Sequence, residues 1–408
     1  MYHQIQRGGT THMPMVSQLF FTEKDLPFRW SQVKHDFWND LKQETKMSIK
    51  GLIEKYTDIE IQDLIGARKG KHLHYRVTYR NGYAYRTLQT SFGYIPDLKI
   101  PRVRDGNVQP HVLDSYARRS PDLDQTVLNM FLAGVCTRRV KEVLAPLAGE
   151  NALSSSTVSE ITKLLDSHVQ KFQNRSLTDD YLYLIFDGVY LKMKSPIQSK
   201  RRCILVVYGI KANGVRELIA FRMANQGESQ VAWEAFLNSL YQRGLKGSLL
   251  KLLVIDGNKG LANAAEVVYP LAKIQRCWAH KLRNAVNHVP KKLQTSFSLD
   301  ASAIYNASSR TAALVAFKDL KKSWESMAPR AVDCLEQDLD SLLNFFSCPE
   351  SLWKKLRTTN IIERVFREVR RRTRPMSTFN NLASVERIIF AIFHRQNSIW
   401  AKKPLWNR

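Results

Sequence analysis

Tyr181-Leu-Tyr-Leu-Ile-Phe-Asp-Gly188 is a run of six apolar or aromatic residues closed by Asp-Gly. Side chains alternate across a strand, so a run with no polar break suits a strand buried on both faces, predicted to end at Asp187-Gly188. Leu249 to Ile255 repeats the pattern and again ends in Asp-Gly, at Asp256-Gly257, 69 positions after Asp187. Between the two, Cys203 to Ile210 and Val215 to Met223 read as strands joined by the turn Lys211-Ala-Asn-Gly214. Ser229 to Gln242 carries Val231, Phe236 and Leu240 at helical spacing; Ala262 to Tyr269 reads as a helix and Lys273 to Cys277 as a short strand. Consecutive strands followed by alternating helix and strand predict a mixed α/β domain with an antiparallel and a parallel part.

Chemistry in open α/β sheets gathers at strand ends. A carboxylate there suits a hard cation such as Mg²⁺, which takes a few carboxylates plus water and phosphate oxygens. Two such ions, roughly 3.5–4 Å apart, serve an in-line displacement at phosphorus. Taken singly, an Asp of this kind is more often a turn-starter. The helix predicted over Ile361–Arg372 offers Glu363 and Glu368 as a third carboxylate. Ile362, Val365, Phe366 and Val369 form its apolar stripe; Glu363 flanks the stripe with Arg367 and Arg370, and Glu368 lies on the other flank. Both cannot face one metal site. Asn360-x-x-Glu363 also fits a capping box, and the six arginines of Arg364–Arg374 fit either a solvated face or DNA backbone contacts. Cys277-Trp-Ala-His280 lacks the second ligand pair of a zinc site, with His288, Cys334 and Cys348 irregularly placed.

The 408 residues predict two or three domains, and 62 Lys and Arg against 37 Asp and Glu give a net charge of +25. Such a field attracts polyanions, nucleic acid above all. Met1 to Phe21 has no signal-peptide pattern, no stretch approaches roughly 18 uninterrupted apolar residues, and the five cysteines form no repeated CxxC. A soluble intracellular protein is expected. Residues 1–66 read as polar and helical, with Trp30, Phe37 and Trp38 as packing anchors. In Tyr75–Arg86 the dipeptide Asn81-Gly82 between alternating aromatic and basic residues predicts a hairpin turn. Arg80, Arg86, Arg102 and Arg104, interleaved with tyrosines, suit phosphate contacts and base stacking, or equally a solvated hairpin. Three helical pieces follow, Asp124–Leu132, Thr137–Ala145 and one capped by Ser154 running to about Phe172; they fit a helix-turn-helix or plain three-helix packing. Residues 281–356 are helical without strand signals and read as an insertion.

Tyr79-Arg-Asn-Gly-Tyr83, Ile100-Pro-Arg-Val-Arg104, Phe186-Asp-Gly-Val-Tyr190, Val254-Ile-Asp-Gly257, Arg276-Cys-Trp-Ala-His280 and Thr359-Asn-Ile-Ile-Glu-Arg364 together resemble the Mutator family of transposases, in its bacterial insertion-sequence branch. The resemblance runs from about Tyr79 to the C-terminus. It implies an RNase H-like mixed sheet core with an all-helical insertion, preceded by a mostly helical DNA-binding region. It implies an Asp-Asp-Glu triad, carried over to Asp187, Asp256 and Glu363 as catalytic and metal-binding residues, and a Cys-x-x-His signature at Cys277 and His280. The 107 positions from Asp256 to Glu363 agree with an inserted subdomain. Asn258 stands where a more apolar residue is expected.

The expected division is 1–66, N-terminal helical region; 67–175, DNA-binding region; 176–280, first part of the core; 281–356, insertion; and 357–408, final part of the core. Expected cofactors are two Mg²⁺ ions, with Mn²⁺ able to substitute. Expected partners are DNA, as terminal inverted repeats and target, and further copies of the chain in a dimer or larger assembly on the cytoplasmic nucleoid. DNA contacts are assigned to Arg80, Arg86, Arg102, Arg104, Arg367, Arg370 and Arg371. A plain RNase H-like nuclease and a non-catalytic DNA-binding regulator are the alternative readings.

Overall fold

A computed structural model describes residues 26–71, 73–104, 111–114, 117–149, 153–193, 200–224, 227–373 and 381–406. The chain forms two compact units, one made of residues 1–123 and 144–152, the other of 124–143 and 153–408.

In the first unit, α1 (Leu26–Ile65) is a single 40-residue helix. Its burial is concentrated toward its C-terminal end, where Thr57, Ile61 and Ile65 recur at four-residue spacing on one face. Trp30, Phe37 and Trp38, expected as packing anchors, are instead exposed, Trp30 with 68% of its surface. A polar helix gives aromatic residues no partner unless another element covers that turn. β1 (Arg80–Thr90) and β2 (Gly93–Val103) form an antiparallel hairpin.

The hairpin turn is not at Asn81-Gly82. It falls at Ser91-Phe92, where Thr90 Oγ1 accepts from Phe92 N and donates to Gly93 O, and Gly93 has φ 118°. Asn81-Gly82 lies inside β1, where the register slips between Arg80 and Tyr83: two residues stand opposite one, and Gly82 takes φ 66°. The dipeptide's ease with positive φ serves a bulge here rather than a turn. Leu88, Leu98, Ile100 and Leu113 form the small core, with Ile53 of α1 against it.

In the second unit, α2 (Pro121–Ala133) and α3 (Thr137–Ala148) contribute their parts from 124 to 143. Ser154 caps α4 (Ser155–Thr162) by accepting from Thr157 N, as expected. The helix predicted to continue to Phe172 is broken by a 3₁₀ turn at Lys163–Leu165 before α5 (Asp166–Asn174). Next come β3 (Tyr181–Met193), β4 (Lys200–Lys211), β5 (Arg216–Ala224), α6 (Gln230–Gln242), β6 (Leu252–Ile255), α7 (Lys259–Val268) and β7 (Lys273–Arg276). They form one mixed five-stranded sheet in the order β5-β4-β3-β6-β7, antiparallel on the β5 side and parallel on the β7 side.

Six helices fill the expected insertion and its entry: α8 (Trp278–Val286), α9 (Gln294–Tyr305), α10 (Arg310–Trp324), α11 (Pro329–Glu336), α12 (Leu339–Leu342) and α13 (Trp353–Leu356). Residues 281–356 contain no strand. α14 (Asn360–Thr373) and α15 (Leu382–Ala401) complete the unit.

Alternation along the strands sorts the two faces. Leu184, Phe186, Leu205, Val207, Leu253 and Ile255 pack with Trp233, Phe236, Leu240 and Leu261 of α6 and α7. On the opposite face Tyr208 meets Trp400 and Phe221 meets Phe393, so α15 covers that side. The open edge of β7 is covered from the helical stretch. Fully buried Gln275 donates to Leu342 O (2.9 Å) and accepts from Phe345 N (2.8 Å), while Trp278 Nε1 donates to Leu342 O (2.8 Å). Satisfying every polar atom of a buried amide removes an otherwise costly desolvation. Among the described residues no helix is long and apolar enough to cross a membrane.

Candidate active site

β3 does not stop at Asp187 as the Asp-Gly pair suggested. It runs on to Met193 because β4 continues to pair with it, Asp187 opposite Val206 and Tyr190 opposite Cys203. Pairing ends at this level only on the other side. β6 pairs in parallel with β3, Tyr183 with Leu252 and Ile185 with Val254, and stops at Ile255. That register offset equals the 69 positions separating the two aspartates. Continued by two residues, it sets Asp187 beside Asp256 at the carboxyl end of β6. By alternation both stand on the face opposite the α6–α7 core, which is the face α14 packs against.

Asp187 is buried, with 6% of its surface exposed, and its Oδ1 accepts from Gly188 N (2.8 Å). Burial, and then the negative charge of Asp256, push its carboxyl up to about 7. Asp256 Oδ1 accepts from Asn258 N (3.0 Å). Asn258 in turn caps α7 through Leu261 N (3.0 Å), a polar task that explains why this position is not apolar.

The start of α14 is tied to the end of β7. Cys277 N donates to Ile255 O (2.8 Å), Trp278 N to Arg357 O (2.9 Å), and Thr359 N to the buried Cys277 Sγ (3.3 Å). One cysteine therefore anchors both ends of the helical insertion. Asn360 is the first residue inside α14 and the preceding Thr359 turns its hydroxyl to Cys277 Sγ, so the Asn360–Glu363 capping box does not form. From this anchored start Glu363 reaches His280, Nε2 to Oε1 at 3.5 Å. The nearby Cys277 sulfur, partly countered by burial and helped by Asp187 and Asp256, pushes the His280 imidazole up to about 9. Its Nδ1 is buried and lacks a partner of hydrogen-bonding geometry.

The structure thus brings Asp187, Asp256, Cys277, His280 and Glu363 to one place, and leaves Glu368 out. Glu368 is held by Arg371 (2.7 and 2.8 Å) and by buried Arg372 (3.1 Å), which lower its carboxyl to about 2. Arg372 also donates to Phe131 O and Leu132 O at the end of α2, beside Gly134 (φ 108°). A Cβ at Gly134 would stand 2.8 Å from the guanidinium.

The donor set is right for a hard cation: carboxylate oxygens at the end of β6, with no Lys or Arg among the described residues ion-paired to Asp187, Asp256 or Glu363. Among the described residues no three His, Cys, Asp or Glu side chains already converge tightly enough to hold an ion. The carboxylates repel one another, and the His280 imidazole beside Glu363 offsets part of that repulsion.

The sequence as a whole is similar to known proteins. The family model described as "Transposase, Mutator family" matches residues 28–403. The chain belongs to the Mutator family of transposases. Relatives include the transposase for insertion sequence element ISRM5 of Rhizobium meliloti, 33% identical over 86% of this chain and 87% of the relative. The transposase for IS905 of Lactococcus lactis is 30% identical over 92% of this chain and 93% of its own length. That for IS256 in transposon Tn4001 of Staphylococcus aureus is 32% identical over 94% and 97%.

Around the site of this transposase, Arg216, Lys354, Lys355 and Arg364 line a cavity of about 290 Å³ with Thr358 and Asn360, on the sheet face that carries Ile185. Arg102, Arg104, Arg367 and Arg370 are exposed. Arg371 is exposed but engaged by Glu368, and Arg80 is paired with Asp58 of α1 (2.7 Å). Arg86 is half-buried, and burial lowers its pKa. Sequence reasoning missed Lys354, Lys355 and Arg216, which come together only through folding.

Proposed function

We propose that this transposase binds the terminal inverted repeats of an insertion sequence, cuts a DNA strand there and joins the exposed 3′-hydroxyl to target DNA. In this reading the sheet unit is an RNase H-like core, with Asp187, Asp256 and Glu363 as the catalytic carboxylates. The observation that carries the reading is the register of β3 and β6, which sets two acidic residues side by side with Glu363 on the helix above the same face.

Asp187, Asp256 and Glu363 would hold divalent cations, Mg²⁺ or Mn²⁺, which would supply Lewis-acid stabilisation of the charge developing on the attacking and leaving oxygens. The chain itself supplies position. β3 and β6 fix the two aspartates on rigid backbone, and Cys277 fixes the start of α14 and so the reach of Glu363. His280 orients the Glu363 carboxylate from the α8 side. The cations lining the cavity at Lys354, Lys355, Arg216 and Arg364 suit the phosphates flanking the scissile bond, and Arg367 and Arg370 extend that surface along α14. Arg102 and Arg104 are exposed beside the hairpin, the Arg104 guanidinium over the Tyr79 ring (5.7 Å), and suit contacts to DNA backbone. A strand-joining intermediate must hold two element ends, so an assembly of two or more copies follows from the reaction.

The test is cleavage and joining of a labelled duplex carrying the element's end, in Mg²⁺, followed by product sequencing. Joined products that need the end sequence support the reading. Cleavage with no joining would make the protein a nuclease, and binding without chemistry a regulator.

A further inference from the structure

Every residue of α1 from 30 to 44 is exposed. A helix of about 12–15 residues is marginal in water unless something packs on it. Yet this stretch carries Trp30, Val33, Phe37, Trp38 and Leu41, and Leu52, Tyr56 and Ile59 continue the exposed apolar series farther along. At about 100° per residue these eight side chains share one arc of about 140°. Ile53, Thr57, Ile61 and Ile65, the side that meets the hairpin and its small cores, point the opposite way. Trp30, Leu41 and Leu52 recur every eleven residues, close to three helical turns, so the stripe keeps to one side of the helix over roughly 44 Å at about 1.5 Å per residue. A contiguous apolar patch of more than roughly a few hundred Å² marks a contact site. Trp30, Phe37, Trp38 and Tyr56 are of the aromatic type that dominates interface energetics.

Charge says what kind of partner fits. α1 holds six Lys or Arg against seven Asp or Glu in a chain of net charge +25, so it adds nothing to the field that draws DNA. The charged residues within the arc of the stripe are Lys34, Glu44, Lys55 and Asp63, all exposed and, among the described residues, in no ion pair. Their order is self-complementary. Two copies of α1 laid antiparallel about Ser48 and Ile49 bring Lys34 of each toward Asp63 of the other, and Glu44 toward Lys55. The same alignment sets Trp38 and Leu41 against Ile59 and Tyr56. Laid parallel and in register, each of the four charges meets its own kind, and flanking charges of this sort decide the orientation of paired helices.

We propose that the exposed stripe of α1 is the surface on which a second copy of this chain docks, helix against helix and antiparallel. The choice of a second copy rests on the strand-joining reading, which requires two element ends to be held together. A two-fold pair needs one patch that serves both copies, and this order of charges meets that need.

The experiment is sedimentation equilibrium of the nuclease-treated full-length chain, without DNA and at near-physiological salt. Wild type is compared with Phe37→Asp, Leu41→Asp, Lys34→Glu, Asp63→Lys, the combination of the last two and, as a control on an exposed apolar residue of α9, Leu299→Asp. Wild type is expected to form a dimer. Phe37→Asp and Leu41→Asp are each expected to weaken it at least about tenfold, as the loss of an interface anchor does, and Leu299→Asp to leave it unchanged. Lys34→Glu and Asp63→Lys should each weaken it about threefold, and their combination should restore it. A wild type that stays monomeric overturns the proposal, even where the same preparation joins DNA strands. A dimer indifferent to both Phe37→Asp and Leu41→Asp overturns it as well. Charge changes without effect, beside apolar changes that break the dimer, overturn the antiparallel orientation. Strand joining is assayed separately on the wild type, so its failure is told apart from failure of the dimer. Circular dichroism checks each variant; should an apolar variant fail to fold, the charge pair and its restoration carry the test.

Discussion

The two flanks of α14 carry the same residue type five positions apart and treat it in opposite ways. On one flank Glu368 is gripped by Arg371 and Arg372, and its carboxyl falls to about 2. Arg372, buried, passes the connection on to the carbonyls that end α2. On the other flank Glu363 has no arginine, only His280 at 3.5 Å, and faces two more acidic residues. A carboxylate whose charge is cancelled within the chain is part of the scaffold. A carboxylate met only by an imidazole, with other carboxylates beside it, is available to a further cation. Among the described residues the arginines of this helix therefore divide into those that hold it, Arg371 and Arg372, and those in no ion pair, Arg364, Arg367 and Arg370.

The largest effect should separate the two glutamates. Glu363→Gln is expected to lower strand joining by at least about a hundredfold, as removal of several kcal/mol of transition-state charge stabilisation implies, with an unchanged melting temperature. Glu368→Gln is expected to join strands within a few-fold of wild type. Equal losses in a kinetic assay would dissolve the contrast.

Next comes Arg372→Ala, which leaves Glu368 without its buried partner and the end of α2 without its donor. Breaking such a pair costs about 3 kcal/mol, read as a lower denaturation midpoint in urea. A variant as stable as wild type would show that Arg372 is no structural tie.

Smaller still is the loss from Arg367→Gln and Arg370→Gln. Each should weaken duplex binding uniformly across sequences and reduce the slope of log affinity against log salt by about 1. An unchanged slope in fluorescence anisotropy would remove them from the DNA surface.

The smallest effect is the pH dependence of Glu368. Its folded pKa lies below the ordinary 4.5, so its stabilisation is fully present above about pH 4.5 and fades as the pH falls toward 2. The stability gap between wild type and Glu368→Gln should be level above pH 5 and shrink below it. A gap that widens on acidification would reverse the sign of the pairing.

Much of the sheet was legible because its strands are continuous apolar runs, and Asp187 and Asp256 because each closes one. The sequence could not show that β3 continues beyond Asp187, since the continuation is imposed by pairing with β4. Asn81-Gly82 is a strong local turn signal, yet the positive φ of Gly82 is used in a bulge. Trp30, Phe37 and Trp38 were read as anchors on residue type alone, and an exposed helix face carries them. By periodicity alone Glu363 and Glu368 are symmetric about the stripe of α14; the resemblance pointed to Glu363, and in the structure the partners contributed by α8 and by Arg372 tell the two apart. Gly188, Asn258 and Gly260 are small or polar for a reason that lies in another element, the approach of the segment 228–230.

The most direct test of the central claim is the anomalous scattering of Mn²⁺ in crystals of the full-length transposase bound to its end DNA. The account predicts manganese within direct coordination distance of Asp187 and Asp256, with Glu363 turned toward it and Glu368 still bound to Arg371 and Arg372. Manganese absent from the end of β6, or held by Glu368, would contradict it.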